Sequence, residues 1–165
     1  MISSPVSFTK AAASLGKASR MREILVVEDS DEDFDTLCEV MQRLGIDCTL
    51  YRVLSGDQAL ALLRGEAKPG QPLRPALILL DLNAPGFDGR DTLAAIKSDN
   101  ALKCVPVVVL TTSANPADLA FCYAAGANAY HVKPHRHDSY LAGLASLLNY
   151  WLGSNVLPPP LAARH

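Results

Sequence analysis

Three carboxylates, a hydroxyl and an ammonium each follow a short apolar run in this chain. Glu28 and Asp29 come after ILVV, Asp81 after ALILL, Thr111 after VPVVVL and Lys133 after AYHV. Gathered in one crevice, they could do one kind of chemistry. Three close carboxylates repel one another and raise each other's pKa. A hard divalent cation removes the conflict. Mg²⁺ takes oxygen ligands in an octahedron, and one or two carboxylates, a backbone carbonyl and waters satisfy it. A carboxylate oxygen left free needs no base at neutral pH, which suits an Asp that accepts a phosphoryl group. The metal would bridge acceptor and phosphoryl oxygens and neutralise developing charge. Lys133 would pair with one phosphoryl oxygen and Thr111 would hydrogen-bond another.

Taken singly, each of these residues has an ordinary structural use, since an Asp after a strand caps the next helix and a Lys-Pro makes a turn. The elements around them make the set unusual. Apolar runs at 24–27, 48–53, 76–80, 105–110 and 129–132 are predicted strands. Helical spacing predicts helices over 33–44, 58–63, 91–96, 116–125 and 139–152, with Gly45, Gly65 and Gly126 as stop signals. Pro69, Gly70, Pro72 and Pro75 make 68–75 a loop. The first, third and fourth strands are apolar throughout, as in a parallel sheet covered on both faces. The alternation predicts a doubly wound (βα)5 domain, whose site lies beyond the C-terminal ends of the strands. All five chemical residues fall there.

Composition bounds the reading. A chain of 165 residues with 49% hydrophobic and 19% charged residues is one globular domain with a tail to spare. No apolar run approaches the ~20 residues that span a bilayer. The net charge of −2 is uneven: Lys10, Lys17, Arg20 and Arg22 stand without an acid in residues 1–22, and six acids crowd into 28–35. An acidic domain without a basic stripe is a poor nucleic-acid binder. Cys38, Cys48, Cys104 and Cys122 form no CxxC pair, so reduced, packed thiols and a cytoplasmic location are expected. The Ser/Ala-rich residues 1–22 lack a signal-peptide apolar region and read as a flexible extension.

The segments ILVVEDS (24–30), LILLDLNAPGFDG (77–89), VPVVVLTTS (105–113) and GANAYHVKP (126–134) together resemble a two-component response-regulator receiver domain, over residues 23–148. The resemblance implies a flavodoxin-like fold with a five-stranded parallel sheet in the order 2-1-3-4-5. It implies Asp81 as phosphoacceptor, with Mg²⁺ held by Glu28, Asp29, Asp81 and the backbone carbonyl of Asn83. Thr111 takes the place of the switch hydroxyl, Lys133 that of the phosphate-contacting lysine and Tyr130 that of the switch aromatic. On the family mechanism Thr111 swings toward the phosphoryl group, Tyr130 turns inward behind it, and the surface of the fourth helix, fifth strand and fifth helix changes. The phosphoryl donor would be a sensor histidine kinase. The chain would then be a phosphoacceptor rather than an enzyme, signalling through a partner or a dimer rearrangement. Asn83 and Ser113 are expected to flank the phosphoryl group and set its hydrolysis rate.

LTTS (110–113) and YWL…VLP (150–158) also resemble the stand-alone receivers paired with bacterial phytochrome kinases. That resemblance implies a homodimer in which residues 149–165 form an arm, with Tyr150, Trp151, Leu152, Val156 and Leu157 in the contact; the alternative is that Trp151 folds back on its own domain. Tyr150 stands where Phe is usual, and the spacing of Val156-Leu157-Pro158 is one residue tighter than usual. His131, His135 and His137 read as ordinary loop and strand histidines rather than a metal cluster. Asp31, Glu32, Asp33 and Asp35 read as acids at the start of the first helix that favour its dipole, with Asp33 close enough to tune the rim. A small Mg²⁺-dependent phosphohydrolase with an Asp nucleophile is the alternative function. It usually needs a second Asp two residues after the nucleophile, and here that residue is Asn83. A flavodoxin-like FMN binder needs a phosphate loop after the first strand, where EDSDED would repel phosphate.

Overall fold

Alternate side chains of each buried strand feed opposite faces of one sheet, so a strand with a helical layer on both sides must be apolar at every position. The computed structural model, which describes residues 4–9, 21–83 and 88–159, is built this way. Its strands are β1 (Val6–Phe8), β2 (Arg22–Val27), β3 (Cys48–Val53), β4 (Leu77–Leu80), β5 (Val107–Thr111) and β6 (Ala129–Val132). Its helices are α1 (Asp31–Leu44), α2 (Gly56–Arg64), α3 (Gly89–Ser98), α4 (Pro116–Ala124) and α5 (His137–Leu148), the last continued by a π-helical turn, Asn149–Ser154. Leu25 and Val27 pack with α2, α3 and α4 on one face. Ile24 and Val26 pack with α1 and α5 on the other.

The sheet order is β1-β3-β2-β4-β5-β6. The five strands from β2 onward are parallel and follow the expected 2-1-3-4-5 order. The expectation of five strands, all parallel, is corrected by β1, which pairs antiparallel with β3 (Val6↔Leu50, Phe8↔Cys48). Thus part of the stretch expected to be a flexible extension lies on the sheet. The physical reason is the β3 edge, whose unpaired backbone groups accept another strand, while Phe8 packs against the α1/α5 core. Residues 10–20 lie outside the described residues. None of the helices among the described residues is long and apolar enough to cross a membrane.

The first helix begins and ends on ordinary capping chemistry. Ser30 caps α1, its hydroxyl accepting from the Asp33 amide, and Gly45 ends the helix in the left-handed conformation (φ 59°). The long last helix expected over 139–152 is instead α5 plus the π turn. That wider turn keeps Leu152 in the apolar stripe with Leu144 and Leu148. All four cysteines are free; Cys48 and Cys122 are buried and Cys104 is exposed. Burial pushes the Cys48 thiol up to about 12.

Candidate functional site

Three residues just past strand ends donate to the last carbonyl of the neighbouring strand. The Glu28 amide donates to the Val53 carbonyl at 3.0 Å, Asp81 to Val27 at 3.0 Å and Lys133 to Thr111 at 2.7 Å. The ladder therefore fixes the backbone of the site residues although they lie outside the strands. Their side chains meet at one rim. Glu28, Asp81, Thr111 and Lys133 are all buried, at 4%, 7%, 0% and 5% exposure. Charged groups are rarely buried this deeply unless paired.

Lys133 does the pairing. Its Nζ donates to Glu28 Oε2 at 2.6 Å, Asp33 Oδ2 at 2.7 Å and Asp81 Oδ2 at 3.1 Å. Burial opposes its charge, but Glu28, Asp33 and Asp81 outweigh that and hold the ammonium above the ordinary lysine range. Burial pushes the Glu28 carboxyl up, against the pull of Lys133 and the Ser30 amide. The sequence marks Asp33 as a helix-start acid near the rim; the structure brings its carboxylate onto the site lysine.

Asp81 keeps capacity to spare. Oδ1 accepts the Asn83 amide at 3.0 Å and Oδ2 accepts Lys133, leaving lone pairs on both oxygens. Glu28, Asp29 and Asp81 each offer an oxygen, all within 4.8 Å of one another. That donor set, oxygen only and with one exposed member, fits Mg²⁺ or Mn²⁺. It is the one group of three or more such side chains placed to hold a metal ion among the described residues. His131, His135 and His137 do not form another. Residues 84–87 lie outside the described residues. Where the chain returns, Gly89 permits a close approach: a Cβ there would sit 2.5 Å from the Leu82 Cα.

The hydroxyl side of the rim is organised around Thr111. Its Oγ1 accepts from the Asn83 side-chain amide at 3.2 Å and from the Ser113 amide at 3.2 Å. Asn83 also donates to the Thr112 hydroxyl at 3.3 Å. The Ser113 hydroxyl turns to Asp118 Oδ2 at 2.6 Å, and Arg90 grips the same carboxylate. The Ser113 hydroxyl and Arg90 hold the Asp118 carboxyl below its usual range. The Tyr130 hydroxyl donates to the Ser113 carbonyl at 2.9 Å, which ties the aromatic side chain to the loop after Thr111.

One residue of the rim has no counterpart in the sequence reading. Arg52, second to last in β3, reaches under the loop after β2. Its Nε donates to the Glu28 carbonyl (2.9 Å), Nη2 to the Asp29 carbonyl (3.1 Å) and Nη1 to Asp31 Oδ1 (2.6 Å). The signal available in the sequence is a lone arginine in an otherwise core-facing strand, opposite an acidic run.

The residues expected in a dimer arm divide. Leu152 is buried in its own chain at 4% exposure. Trp151 and Leu157 are half-buried against the same core. Tyr150 and Val156 are exposed, Val156 at 92%. The Leu152 carbonyl accepts a hydrogen bond from Arg22, pinning the π turn to the start of β2.

A sheet of this order, carrying an acidic pair, an aspartate, a threonine and a lysine at its C-terminal rim, defines a receiver. Residues 24–144 match the response regulator receiver domain, and the chain belongs to that family. It is a response regulator of two-component signalling, similar over most of its length to phytochrome response regulators. It is 39% identical over 135 residues to response regulator Rcp1 of Synechocystis, covering 82% of this chain and 92% of the relative. It is 36% identical over 137 residues to the probable methanogenesis regulatory protein FilR2 of Methanothrix harundinacea, covering 83% and 88%. The crystal structure of Mn²⁺-bound Rcp1 superposes with a TM-score of 0.81 at 38% identity, covering 84% of this chain and 99% of that one. That of the phosphorylated cyanobacterial phytochrome response regulator RcpA gives 0.80 at 37%, with the same coverage.

Proposed function

We propose that Asp81 accepts a phosphoryl group from the phosphohistidine of a sensor kinase in a Mg²⁺-dependent phosphorelay. The observation that carries this reading is the Asp81 carboxylate itself. It is buried, 3.1 Å from the Lys133 ammonium, and shares a 4.8 Å cluster with Glu28 and Asp29. The Asp81 oxygen forms the new O–P bond as the P–N bond to the imidazole breaks. The electron pair of that bond stays on the imidazole nitrogen, which takes up a proton. Lys133 already touches Asp81 and is held charged, so it meets a phosphoryl oxygen without first acquiring a proton. Thr111 accepts two hydrogen bonds and keeps its own hydrogen to donate to another phosphoryl oxygen. Glu28, Asp29, Asp81 and the Asn83 carbonyl would hold the cation, which when bound neutralises charge at the acceptor and phosphoryl oxygens.

The remaining roles follow from position. Tyr130 reports on the Thr111 loop through its bond to Ser113. Asn83, between Asp81 and Thr111, sets the lifetime of the acyl phosphate, and Ser113 contributes by placing that loop. Asn83 offers no carboxyl for acid/base turnover, so the chain acts as an acceptor and not as a hydrolase. Its similarity to the phytochrome response regulator RcpA supports a phytochrome-type kinase as donor; a cytoplasmic location without nucleic-acid or membrane partners is proposed from composition alone, an acidic domain with no basic stripe and no spanning apolar run. The test is intact mass after incubation with acetyl phosphate and Mg²⁺. One phosphate is expected on the wild type and none on Asp81→Asn. An unmodified wild type would overturn the reading.

Residues 23–148 then act as the receiver and those from 149 as an association arm of a homodimer, with 1–22 as an N-terminal extension that contributes β1. Among the described residues of the arm, Tyr150 and Val156 are the large apolar side chains left exposed, and such residues mark contact surfaces. In sedimentation, the double substitution Tyr150→Ser with Val156→Ser is expected to shift the protein toward monomer while leaving the stability of the isolated chain unchanged. Identical mass distributions would remove the arm from the interface.

A further inference from the structure

We infer that Arg52 is a positioning residue for the cation: its guanidinium holds the turn that presents Glu28 and Asp29, so that their carboxylates and that of Asp81 converge. The inference rests on the cation-site reading above. The face of β3 that carries Arg52 is otherwise core, with Cys48 and Leu50 fully buried. A buried charge there is costly unless its donors are met. Arg52 meets them with the Glu28 and Asp29 carbonyls and the Asp31 carboxylate, while its guanidinium lies 4.7 Å over the Phe34 ring. These acceptors belong to the turn between β2 and α1. The planar fork of arginine can span them at once; the point charge of lysine cannot.

The clamp acts on the direction of the peptides that carry the ligands. Rotating the peptide after Glu28 or Asp29 would swing a carboxylate out of the 4.8 Å cluster, and each carbonyl fixed by Arg52 resists that rotation. The arginine's own charge contributes little to the cation's environment. Asp31 answers it at 2.6 Å, and what remains of a positive charge would oppose rather than favour a bound cation. Groups of this kind, which orient ligands without touching the metal, typically change metal affinity about 10–100-fold.

The test is a Mn²⁺ titration of the full-length chain, followed by the electron paramagnetic resonance of the free ion. It is read beside hydrogen exchange of the peptide spanning 28–31 in metal-free protein. Arg52→Gln is expected to raise the dissociation constant about tenfold and to speed exchange in that peptide. Arg52→Lys keeps the charge and guards against a misfolded Gln variant. It is expected to weaken binding as well, by at least half of that factor. An unchanged dissociation constant in both variants overturns the inference, and so does full rescue by Lys, which would mean that charge and not the fork matters. If the wild type binds Mn²⁺ no better than Asp29→Asn, the cation-site reading fails instead. The metal-free exchange rates then decide the clamp: unchanged exchange in Arg52→Gln sinks it.

Discussion

Lys133→Met is expected to destabilise the protein by about 3 kcal/mol at neutral pH, because removing one partner of a buried ion pair leaves the other charge uncompensated. Here three carboxylates lose their ammonium together. Glu28, Asp33 and Asp81 all bond Nζ, and the Glu28 and Asp81 side chains are 6% and 9% exposed. The pH dependence has a definite sign. Burial already raises the Glu28 carboxyl above its ordinary value of 4.5, and losing Lys133 removes the main opposing influence. A group whose folded pKa is raised contributes stability that is present below its unfolded pKa and lost as pH rises through the folded one. The deficit of Lys133→Met should therefore be largest at pH 7 and above and shrink as pH falls toward the ordinary carboxylate range. Mg²⁺ should narrow it too, since carboxylates without their ammonium bind the cation more tightly and so gain more stability from it. Urea denaturation at pH 7 and pH 5, with and without Mg²⁺, measures all of this. A deficit that is the same at both pH values would mean that Lys133 contributes packing and not charge. The same variant is expected to lose phosphate uptake from acetyl phosphate.

How much of this is legible in the sequence depends on how local each signal is. Glu28, Asp29, Asp81, Thr111 and Lys133 are visible because each interrupts or ends an apolar run, and a doubly wound sheet sends all such ends to one rim. The parallel order of β2 to β6 follows from the same alternation. β1 is not visible. Three residues after Pro5 in a Ser-rich stretch carry no periodicity, and only their pairing with β3 reveals them. Asp33 is visible as a helix-start acid but not as a partner of Lys133, one hundred positions away. Arg52 escapes for a related reason. A charge in a strand reads locally as a solvent-facing position, and its acceptors are mostly backbone carbonyls, which no residue pattern displays. Local chemistry and hydrophobic period reach the carboxylates of the rim; Asp33 and Arg52, which bond Lys133 and the turn after β2, act across the fold.

The C-terminal segment shows the same division, and Leu152→Ala tests it. In sequence Tyr150, Trp151, Leu152, Val156 and Leu157 read as one apolar arm. In the structure the π turn separates them: Leu152 joins Leu144 and Leu148 in the core over α1 and α5, while Tyr150 and Val156 face outward. Truncating a buried leucine removes its transfer free energy and leaves a cavity, and such changes cost about 2.7–5 kcal/mol. Leu152→Ala should fall near the lower end, about 3 kcal/mol, because it lies near the end of its element, where the chain can relax into part of the space. Its effect must be independent of protein concentration, since the packing it removes lies within one chain. The Tyr150 and Val156 substitutions should behave in the opposite way, changing association but not the stability of the isolated chain. Urea midpoints for Leu152→Ala at two concentrations about a hundredfold apart separate the cases, because only association responds to concentration. A midpoint shift that appears only at the higher concentration would place Leu152 between copies of the chain. The geometry of the turn is against that outcome: the Leu152 carbonyl is held by Arg22 at the start of β2, so moving the leucine outward would also break the tie between the arm and the sheet.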